Sequence, residues 1–433
     1  MKAVILAAGE GKRLRPITST QPKPMISIAG KPLLEHIILS LKSAGIRRIL
    51  IIVGYKEKNI KNYFGNGSKY NLSIEYITQD QYMGTAHATG YAKDFVGNDS
   101  FLLLYGDIFV EESFFPLIIN IFERKQVDGL ISLIQVENPG EYGIISLDDH
   151  QYVFKITEKP SQEENLGNLA NAGIYIFTSR IFEAIDRTQK SIRDEYEFTD
   201  SMQILINALK GKIIGYEIRD LFWSDIGLPW QLLDANQYLL DKIESANYGA
   251  IEDNVSLNGI VYIGKNTIVK SGTYIQGPVY IGEDCKIGPN AYIRPYCSIE
   301  DSCHIGMSEI KNSIIYSYSA VPHFNYIGDS IICEHVNLGA GTKTSNLRFD
   351  NKPVKMNIKG IDIDSKRRKL GSIVGPYCQT GINASIMCGK IIHENSIIGA
   401  HTIINKDIPP NTLAYQDQEG KIVFKTNKFT FFE

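Results

Sequence analysis

The sequence predicts two folds in one chain, a doubly wound (Rossmann-like) α/β domain followed by a left-handed parallel β-helix of hexapeptide repeats. Up to about residue 227, short apolar runs alternate with amphipathic segments, as in a mostly parallel sheet covered by helices. From about residue 250, apolar residues recur every six positions, a period that fits neither a helix nor an ordinary strand. We therefore expect domains at 1–227 and 249–410, a linker helix at 228–248 and a tail at 411–433.

The first half alternates strands and helices. Val4–Ala7, Arg48–Val53 and Phe101–Tyr105 are short apolar runs typical of buried strands. Pro32–Ala44 is amphipathic, has a proline near its first turn and is followed by Gly45, which is the usual punctuation of a helix. Ligands of doubly wound sheets bind at the carboxyl ends of the strands, so we expect the chemistry just after the first and third of these runs.

The second half repeats every six residues. Each strand of a hexapeptide β-helix points one aliphatic residue inward, so the repeat predicts a continuous core. Cys285, Cys297, Cys303 and Cys378 stand at the smaller position two residues earlier, and no C-x-x-C pair occurs, so these cysteines are core fillers rather than metal ligands. The aliphatic positions in unbroken register are Leu257, Ile263, Val269, Ile275, Ile281, Ile287, Ile293, Ile299 and Ile305.

The six-residue register has two interruptions. It fails at 307–320 and at 343–370, and we expect both stretches to be loops that project from the coil and serve as binding sites. The register returns at Val374. The aromatic-rich end of the tail, Lys421–Glu433, is expected to pack on a neighbouring subunit.

Composition excludes several classes of protein. The formal net charge is −3 and no block of five or six like charges occurs, so we expect no nucleic-acid partner; the basic run Lys366–Lys369 suits a solvated loop or a small anion site. No apolar run approaches the roughly 20 residues that span a bilayer, and the apolar residues 1–9 are too short for a secretory signal. The sequence therefore predicts a cytoplasmic protein without a membrane partner.

Glycines and cations follow the first strand. Gly9 and Gly11 let backbone N–H groups approach phosphates closely, and Arg13 and Lys23 add positive charge. The stretch LAAGEGKRLRP at 6–16, followed by PKPM at 22–25, resembles the signature of the sugar-1-phosphate nucleotidylyltransferases. Further matches follow in the family's order and spacing: Gln79 with Gly84-Thr85, Tyr105-Gly106-Asp107, Tyr142-Gly143, Glu158-Lys159-Pro160, Asn171-Ala172-Gly173 and Trp223-Ser224-Asp225-Ile226-Gly227.

The resemblance implies a role for each matching residue. Asp107 and Asp225 would hold Mg²⁺, which prefers carboxylate and phosphate oxygens. Arg13 and Lys23 would be the catalytic cations that bind the triphosphate and the leaving pyrophosphate. The nucleotide would be bound by Leu6, Ala7, Ala8, Gly9, Gln79, Gly84, Thr85 and Asp107. The sugar phosphate would be bound by Gly143, Glu158, Lys159 and Asn171.

Polar residues also interrupt the β-helix. The segment Val321–Asp329 carries His323, and histidine is the natural base near neutral pH for an attacking amine. The order of polar residues around it resembles the acetyltransferase domain of the bifunctional bacterial N-acetylglucosamine-1-phosphate uridyltransferases and their archaeal relatives. The resemblance makes His323 the base and implies that the acetyl-transfer substrates are bound by Arg294, Lys311, Tyr326, Asn337, Ala340, Asn346, Lys352 and Lys355.

Two departures bring the chain closer to the archaeal bifunctional enzymes. Leu347 stands where the bacterial enzymes carry Tyr, and Asp350–Lys369 is longer than in those enzymes. The resemblance implies a homotrimer that acetylates glucosamine-1-phosphate with acetyl-CoA and then transfers a nucleotidyl group from UTP or dTTP. The alternatives are a monofunctional glucose-1-phosphate thymidylyltransferase or mannose-1-phosphate guanylyltransferase with a structural β-helix, and a non-catalytic subunit. The presence of Lys23, Asp107 and Asp225 argues against a non-catalytic subunit.

Overall fold

The structure, a computed structural model, describes residues 1–161 and 167–429. By internal contacts the chain forms two compact units. The first contains Met1–Glu10, Pro22–Met25 and Leu33–Ile226, and the second contains Gly11–Gln21, Ile26–Pro32 and the chain from Gly227 onward. Within the described ranges, every helix is too short or too polar to cross a membrane.

The N-terminal half alternates strands and helices. Its helices, and the one that follows it, are α1 (Leu33–Ser43), α2 (Glu57–Phe64), α3 (Thr85–Gly90), α4 (Lys93–Val96), α5 (Phe114–Lys125), α6 (Ile181–Asp186), α7 (Phe198–Asn207) and α8 (Pro229–Leu240). Its strands are β1 (Lys2–Ala7), β2 (Ser27–Ile28), β3 (Lys31–Pro32), β4 (Arg48–Val53), β5 (Ser73–Thr78), β6 (Phe101–Tyr105), β7 (Phe109–Val110), β8 (Gly129–Gln135), β9 (Gly143–Leu147), β10 (Val153–Glu158), β11 (Leu169–Phe177), β12 (Ile213–Glu217) and β13 (Trp223–Ser224).

The central sheet of the first unit has the order β10-β9-β11-β6-β1-β4-β5, with β8 beside β11 and β12 beside β8. The strands β6, β1, β4 and β5 are parallel, and Val4 pairs with Leu50 on one side and Leu103 on the other. Beyond β6 the sheet is mixed, because β11 runs antiparallel to β6 and to β8. Successive residues of β1, β4 and β6 are buried, so both faces of the sheet are covered, and these strands are nearly continuous apolar runs.

The C-terminal half consists of short strands. They are β14 (Ala246–Asn247), β15 (Ala250–Ile251), β16 (Ser256–Asn258), β17 (Val261–Ile263), β18 (Ile268–Val269), β19 (Tyr274–Gln276), β20 (Val279–Ile281), β21 (Lys286–Ile287), β22 (Tyr292–Ile293), β23 (Cys297–Ile299), β24 (His304–Lys311), β25 (Ile314–Ile315), β26 (Ala320–Gly328), β27 (Ile331–Ile332), β28 (Asn337–Leu338), β29 (Lys343–Thr344), β30 (Lys355–Ile358), β31 (Ile361–Asp364), β32 (Ile373–Val374), β33 (Gln379–Thr380), β34 (Ser385–Ile386), β35 (Ile391–Ile392), β36 (Ile397–Ile398), β37 (Ile403–Ile404), β38 (Thr412–Gln416) and β39 (Ile422–Thr426).

These strands form a left-handed parallel β-helix in which each turn, here called a coil, stacks on the next. Ile268 pairs with Lys286, 18 residues further on, so a regular coil takes three hexapeptides. The aliphatic positions from Ile263 to Ile305 and the four small-position cysteines are buried. Leu257 is the exception, because it lies near the open end of the stack and 39% of it is exposed.

The expectation of a projecting loop at 307–320 is wrong. These residues stay in the coil as the end of β24, all of β25 and the start of β26. The inward residues continue through Ile310 and Ile315, both fully buried, but two successive steps are five residues long instead of six. The shorter step breaks the sequence register while the stack itself continues.

The second interruption does leave the coil. Strand β27 pairs directly with β32, so the residues between β29 and β32 form an insertion. The insertion contains the antiparallel hairpin β30–β31. In the tail, β38 pairs in parallel with β36 and turns back into β39; the last residues of the tail, 430–433, lie outside the described residues.

The N-terminal segment Ile26–Pro32 is held within the second unit by hydrogen bonds. The hydroxyl of Tyr316 donates to the backbone oxygen of Ser27 at 3.1 Å. Asn236 of α8 is fully buried, and its Oδ1 accepts from the backbone N–H of Ala29 at 3.2 Å and from Oγ of Ser298 at 2.6 Å. Buried amides with satisfied partners fix the position of the chains they join.

Candidate active sites

Lys23 joins two of the predicted metal-binding segments. Its Nζ donates to Oδ2 of Asp107 at 2.5 Å and to the backbone oxygen of Asp225 at 3.1 Å. Oδ2 of Asp225 accepts a hydrogen bond from the hydroxyl of Tyr142 at 3.3 Å. The Lys23 side chain is 9% exposed and that of Asp107 is 35% exposed, so the ion pair has one open side.

Local structure explains why these residues meet. Asp107 follows β6, and the N–H of Gly106 donates to the backbone oxygen of Leu6 at 2.8 Å. A side chain at Gly106 would place its Cβ 3.1 Å from Cβ of Ala7, so glycine permits the close approach of the ends of β1 and β6. Strand β13 pairs with β7, which places Asp225 near Asp107.

The predicted base-binding residues lie at the ends of β1 and β5. Gln79 directly follows β5 and is buried, and its Nε2 lies 3.5 Å from Nδ1 of His87. Gly84 has φ +103°, and a Cβ there would lie 2.5 Å from the backbone oxygen of Tyr196, so no other residue fits without movement. Oγ1 of Thr85 accepts from the N–H of Phe198 at 3.1 Å, which holds the start of α3 against α7.

The predicted sugar-binding residues lie on β9, β10 and β11. A Cβ at Gly143 would lie 3.0 Å from Oε2 of Glu158. That carboxylate is held by Arg193 and Thr199, each at 3.1 Å. Asn171 donates to the hydroxyl of Tyr175 at 2.7 Å, and its Oδ1 accepts from the N–H of Gly173 at 3.0 Å.

Lys159 and Arg13 are exposed cations. The backbone N–H of Lys159 donates to the backbone oxygen of Tyr142 at 3.0 Å. Arg13 belongs to the second unit, where a Cβ at Gly227 would lie 2.9 Å from its Nη2. Neither cationic head group has a hydrogen-bond or ion-pair partner in the part of the chain that the structure describes.

One buried carboxylate organises the predicted acetyl-transfer residues. The side chain of Asp329 is 3% exposed, and its oxygens lie 3.0 and 2.9 Å from Nζ of Lys311. Nδ2 of Asn346 donates to Oδ2 of Asp329 at 2.5 Å and to the hydroxyl of Tyr326 at 3.2 Å. Burial, followed by the charge of Asp329, raises the pKa of Tyr326, so its phenol stays protonated at neutral pH and its proton remains available to a ligand.

Arg294 adds a second cation to this cluster. Its Nη1 lies 2.9 Å from Oε1 of Glu309, and its charge acts on Tyr326. Glu309 pairs with Tyr326 across β24 and β26. The structure therefore brings four predicted residues, Arg294, Lys311, Tyr326 and Asn346, into one cluster.

A bulge displays His323 beside Tyr326. Met307 pairs with His323 and Glu309 with Tyr326, so two steps on β24 face three on β26. Phe324 takes a left-handed conformation, φ +53°, at the extra residue. Asn325 and Ile327 are buried whereas His323 is exposed, so both His323 and Tyr326 point away from the core.

The other predicted residues lie on neighbouring strands of the coil and on the insertion, and within the described ranges none of them bonds to Asp329. Asn337 pairs with Ala320 at the start of β26, and the backbone oxygen of Ala340 accepts from Asn383 at 2.7 Å. Lys352 and Lys355 lie on the insertion, and among residues 1–161 and 167–429 neither side chain bonds to the Asp329 cluster. No sequence motif marks Asp329, Glu309 or Arg193, although Asp329 ends the segment that carries His323.

The fold and these clusters define a two-part transferase, and family comparisons agree. A family model described as nucleotidyl transferase matches residues 2–242. A model of bacterial transferase hexapeptide repeats matches residues 260–295 and 278–308. A solved UDP-glucose pyrophosphorylase in complex with UDP-glucose is 26% identical and has a TM-score of 0.51, covering 56% of this chain and 99% of that one.

Full-length relatives carry both parts. The bifunctional protein GlmU of Methanococcus maripaludis strain S2 is 44% identical over 428 residues, 99% of this chain and all of the relative. The GlmU protein of Methanocaldococcus jannaschii is 42% identical with the same coverage. A bifunctional sugar-1-phosphate nucleotidylyltransferase/acetyltransferase of Sulfurisphaera tokodaii is 44% identical, covering 94% of this chain and 98% of that one. The chain belongs to this family of bifunctional nucleotidylyltransferase/acetyltransferases.

Proposed function

We propose that the β-helix acetylates glucosamine-1-phosphate with acetyl-CoA, and that the N-terminal site then transfers uridylyl from UTP to give UDP-N-acetylglucosamine and pyrophosphate in the cytoplasm. The observation that carries the acetyl-transfer half is the exposed His323, which lies on the same strand as Tyr326 of the Asp329 cluster. The names of the full-length relatives support the pairing of the two activities.

In the acetyl-transfer site, His323 takes a proton from the amine of glucosamine-1-phosphate. The amine nitrogen attacks the thioester carbonyl, the C–S bond breaks, and CoA leaves as the thiol after protonation. Lys311 and Arg294 bind the sugar phosphate, while Tyr326 and Asn337 hold the sugar. The buried carboxylate of Asp329 keeps Lys311 and Asn346 in position.

In the nucleotidyl-transfer site, a phosphate oxygen of the sugar phosphate attacks the α-phosphate of the nucleotide and pyrophosphate leaves. Lys23 and Arg13 neutralise the charge that builds on the leaving group, so catalysis is positioning and charge stabilisation. Gln79 and Gly84 frame the base, Glu158 and Asn171 bind sugar hydroxyls, and Lys159 binds the sugar phosphate.

The carboxylates of this site suit Mg²⁺. Asp107 already accepts the ammonium of Lys23 and is partly open, so it can serve as a ligand of a hard cation, and Asp225 lies beside it. Within the described ranges, no three His, Cys, Asp or Glu side chains come together to hold a metal, which fits an ion that takes its other ligands from substrate phosphates. When bound, Mg²⁺ would neutralise phosphate charge.

We further propose a homotrimer assembled through the β-helix. Large apolar side chains are exposed on the β-helix, including Phe324 at 66% and Ile382 at 50%. Such exposed apolar surface is typical of an interface. Sedimentation should give a particle of about three times 48.5 kDa, and a monomer at micromolar concentration would contradict the proposal.

One crossed experiment tests both activities. CoA release from acetyl-CoA and glucosamine-1-phosphate is measured beside pyrophosphate release from UTP and N-acetylglucosamine-1-phosphate. His323→Ala should lose the first activity and keep the second, and Asp225→Ala should do the reverse, each loss being about 100-fold or more. Wild-type protein that releases no CoA, and prefers dTTP with glucose-1-phosphate, would instead be a monofunctional thymidylyltransferase.

A further inference from the structure

A cavity of about 400 Å³ lies inside the second unit, and Arg13 is the one residue it shares with the sites described above. Its walls come from the segment Gly11–Gln21, the tip of the hairpin β30–β31 and the last coils of the β-helix. Basic residues dominate the lining, with three from one segment and two from the opposite walls: Lys12, Arg13, Arg15, Lys359 and His393. Asp407 is the acidic residue among the lining residues.

The hairpin holds Lys359 at a defined position. Lys359 and Gly360 have φ +54° and +85°, the left-handed pair of a two-residue hairpin turn. Oδ1 of Asn357 accepts from the N–H of Gly360 at 2.9 Å, and Ile358 is 5% exposed. The tip is therefore anchored by its neighbours, and the Lys359 side chain projects from a rigid turn.

Part of the positive charge in this cavity is uncompensated. Across residues 1–161 and 167–429, neither the ammonium of Lys359 nor the guanidinium of Arg13 has a hydrogen-bond or ion-pair partner. Oδ1 of Asp407 accepts the N–H of Ile391 at 2.9 Å, and burial raises the pKa of its carboxyl, which weakens it as a counter-charge. Glu394 lies near the cavity, 3.8 Å from Nδ1 of His393 and within the field of Arg15.

We propose that this cavity binds the phosphate group of a small phosphorylated metabolite between Lys359, His393 and Arg13. Guanidinium, ammonium and imidazole N–H groups converging from separate chain segments are donors that recognise phosphate. The cavity is larger than a phosphate ion, and its remaining wall includes Ile358, Ile408 and Pro409. A phosphate ester with a compact organic part fits it better than inorganic phosphate.

Binding here has a consequence for nucleotidyl transfer, and this step rests on the proposed function. Arg13 belongs to the motif that the family resemblance assigns to the triphosphate. A phosphate in the cavity draws the Arg13 guanidinium toward itself, so occupancy raises the KM for UTP. Acetyl transfer uses none of the cavity residues and stays unchanged.

Binding is measured by calorimetry on the full chain without divalent cations, using inorganic phosphate and glucose-6-phosphate as probes. Glucose-6-phosphate lacks a phosphate at C1 and is therefore not a substrate at either proposed site. We expect it to bind more tightly than inorganic phosphate, and Lys359→Ala and His393→Leu each to weaken it about tenfold, the value of one charged hydrogen bond. Tighter binding of inorganic phosphate would identify the free ion as the source of the phosphate.

The control is Lys421→Ala, which removes an exposed lysine near another hairpin, paired with Glu419, and should bind as wild type. Far-ultraviolet circular dichroism establishes that each variant is folded. The proposal is overturned if neither probe binds, if Lys359→Ala and His393→Leu bind as wild type, or if Lys421→Ala weakens binding equally.

Kinetics test the consequence separately. Saturating glucose-6-phosphate should raise the KM for UTP in the wild type and not in Lys359→Ala, while CoA release is unaffected in both. A rise that persists in Lys359→Ala would place the effect elsewhere and overturn the link to Arg13. An absence of uridylyl transfer would defeat the proposed function, whereas the calorimetry would still decide whether the cavity binds phosphate.

Discussion

Lys311 and Asp329 form a two-point ion pair, with Nζ of the lysine 3.0 and 2.9 Å from the two carboxylate oxygens. The same carboxylate accepts from Asn312 at 2.7 Å and from Asn346 at 2.5 Å. Asn346 in turn contacts Tyr326. The positions of Lys311, Asn346 and Tyr326, which are assigned to acetyl transfer, therefore depend on the buried side chain of Asp329.

Asp329→Asn should lower kcat/KM for acetyl transfer about 100-fold. The substitution leaves Lys311 without its counter-charge, and loss of one partner of a buried pair costs roughly 3 kcal/mol. CoA release measures the loss, and pyrophosphate release should be unchanged. Asp350→Asn is the matched control. The ion pair between Asp350 and Arg348 is exposed, so its loss should have no measurable effect on either activity. If Asp329→Asn kept the wild-type kcat/KM, Asp329 would not be a positioning residue.

Lys23→Gln should lower kcat for nucleotidyl transfer by about 100- to 1,000-fold, the usual cost of removing one preorganised charge from a transition state. Its ammonium now bonds to Asp107 and to the backbone of Asp225, so its loss also loosens the acidic pair. Pyrophosphate release reports the effect. Lys31→Gln, at an exposed lysine on β3, should retain activity, and equal losses in both variants would contradict a specific role.

Ile293→Ala should destabilise the β-helix by about 2–5 kcal/mol, because its side chain is fully buried in the coil core and the deletion leaves a cavity. Urea unfolding at one fixed protein concentration measures the change. Ile361→Ala, at a residue that is 67% exposed on the hairpin, should change stability by less than about 0.5 kcal/mol. Similar losses of unfolding free energy in both variants would mean that burial of the side chain does not determine the loss of stability.

Stability should depend on pH through Glu300. Burial raises its pKa to about 7 from an ordinary value of 4.5. The folded state therefore holds the proton more tightly than the unfolded state, so the stabilisation is complete below about 4.5 and is lost as pH rises through about 7. The change amounts to roughly 3 kcal/mol.

Glu300→Gln should flatten this dependence. Its neutral amide mimics the protonated acid, so the free energy of unfolding should vary less between pH 4.5 and 7 than in the wild type. Glu283→Gln, at an exposed glutamate on a neighbouring coil, should keep the wild-type slope. A Glu300→Gln profile that parallels the wild type would show that another group titrates.

The core of the β-helix could be predicted because each coil repeats one local rule. Ile263, Ile281 and Ile299 are buried at the same place in successive coils, and the six-residue period locates them without knowledge of the fold. The six-residue period did not predict Ile310 and Ile315. Stacked strands accommodate a step of five residues, whereas a fixed six-residue period does not.

The sites could be predicted only as far as the motifs reach. Asp107 and Asp225 stand in recognisable motifs, and in the structure Lys23 contacts both residues. Asp329 and Arg193 act through contacts with residues far away in the chain or on other strands, such as Lys311 and Glu158. Partners of this kind are brought together only by the three-dimensional fold, and no local pattern marks them.

The placement of Gly11–Gln21 and Ile26–Pro32 in the second unit limits how this protein can be taken apart. A fragment that stops near residue 227 would keep all residues of the nucleotidyltransferase motifs. It would lose Tyr316 and Asn236, which form hydrogen bonds with Ser27 and Ala29. A foreign β-helix grafted onto the first 227 residues would have to reproduce those two hydrogen-bonding positions. A recombination crossover near residue 227 would therefore separate residues that contact each other, which favours joint inheritance of the two halves.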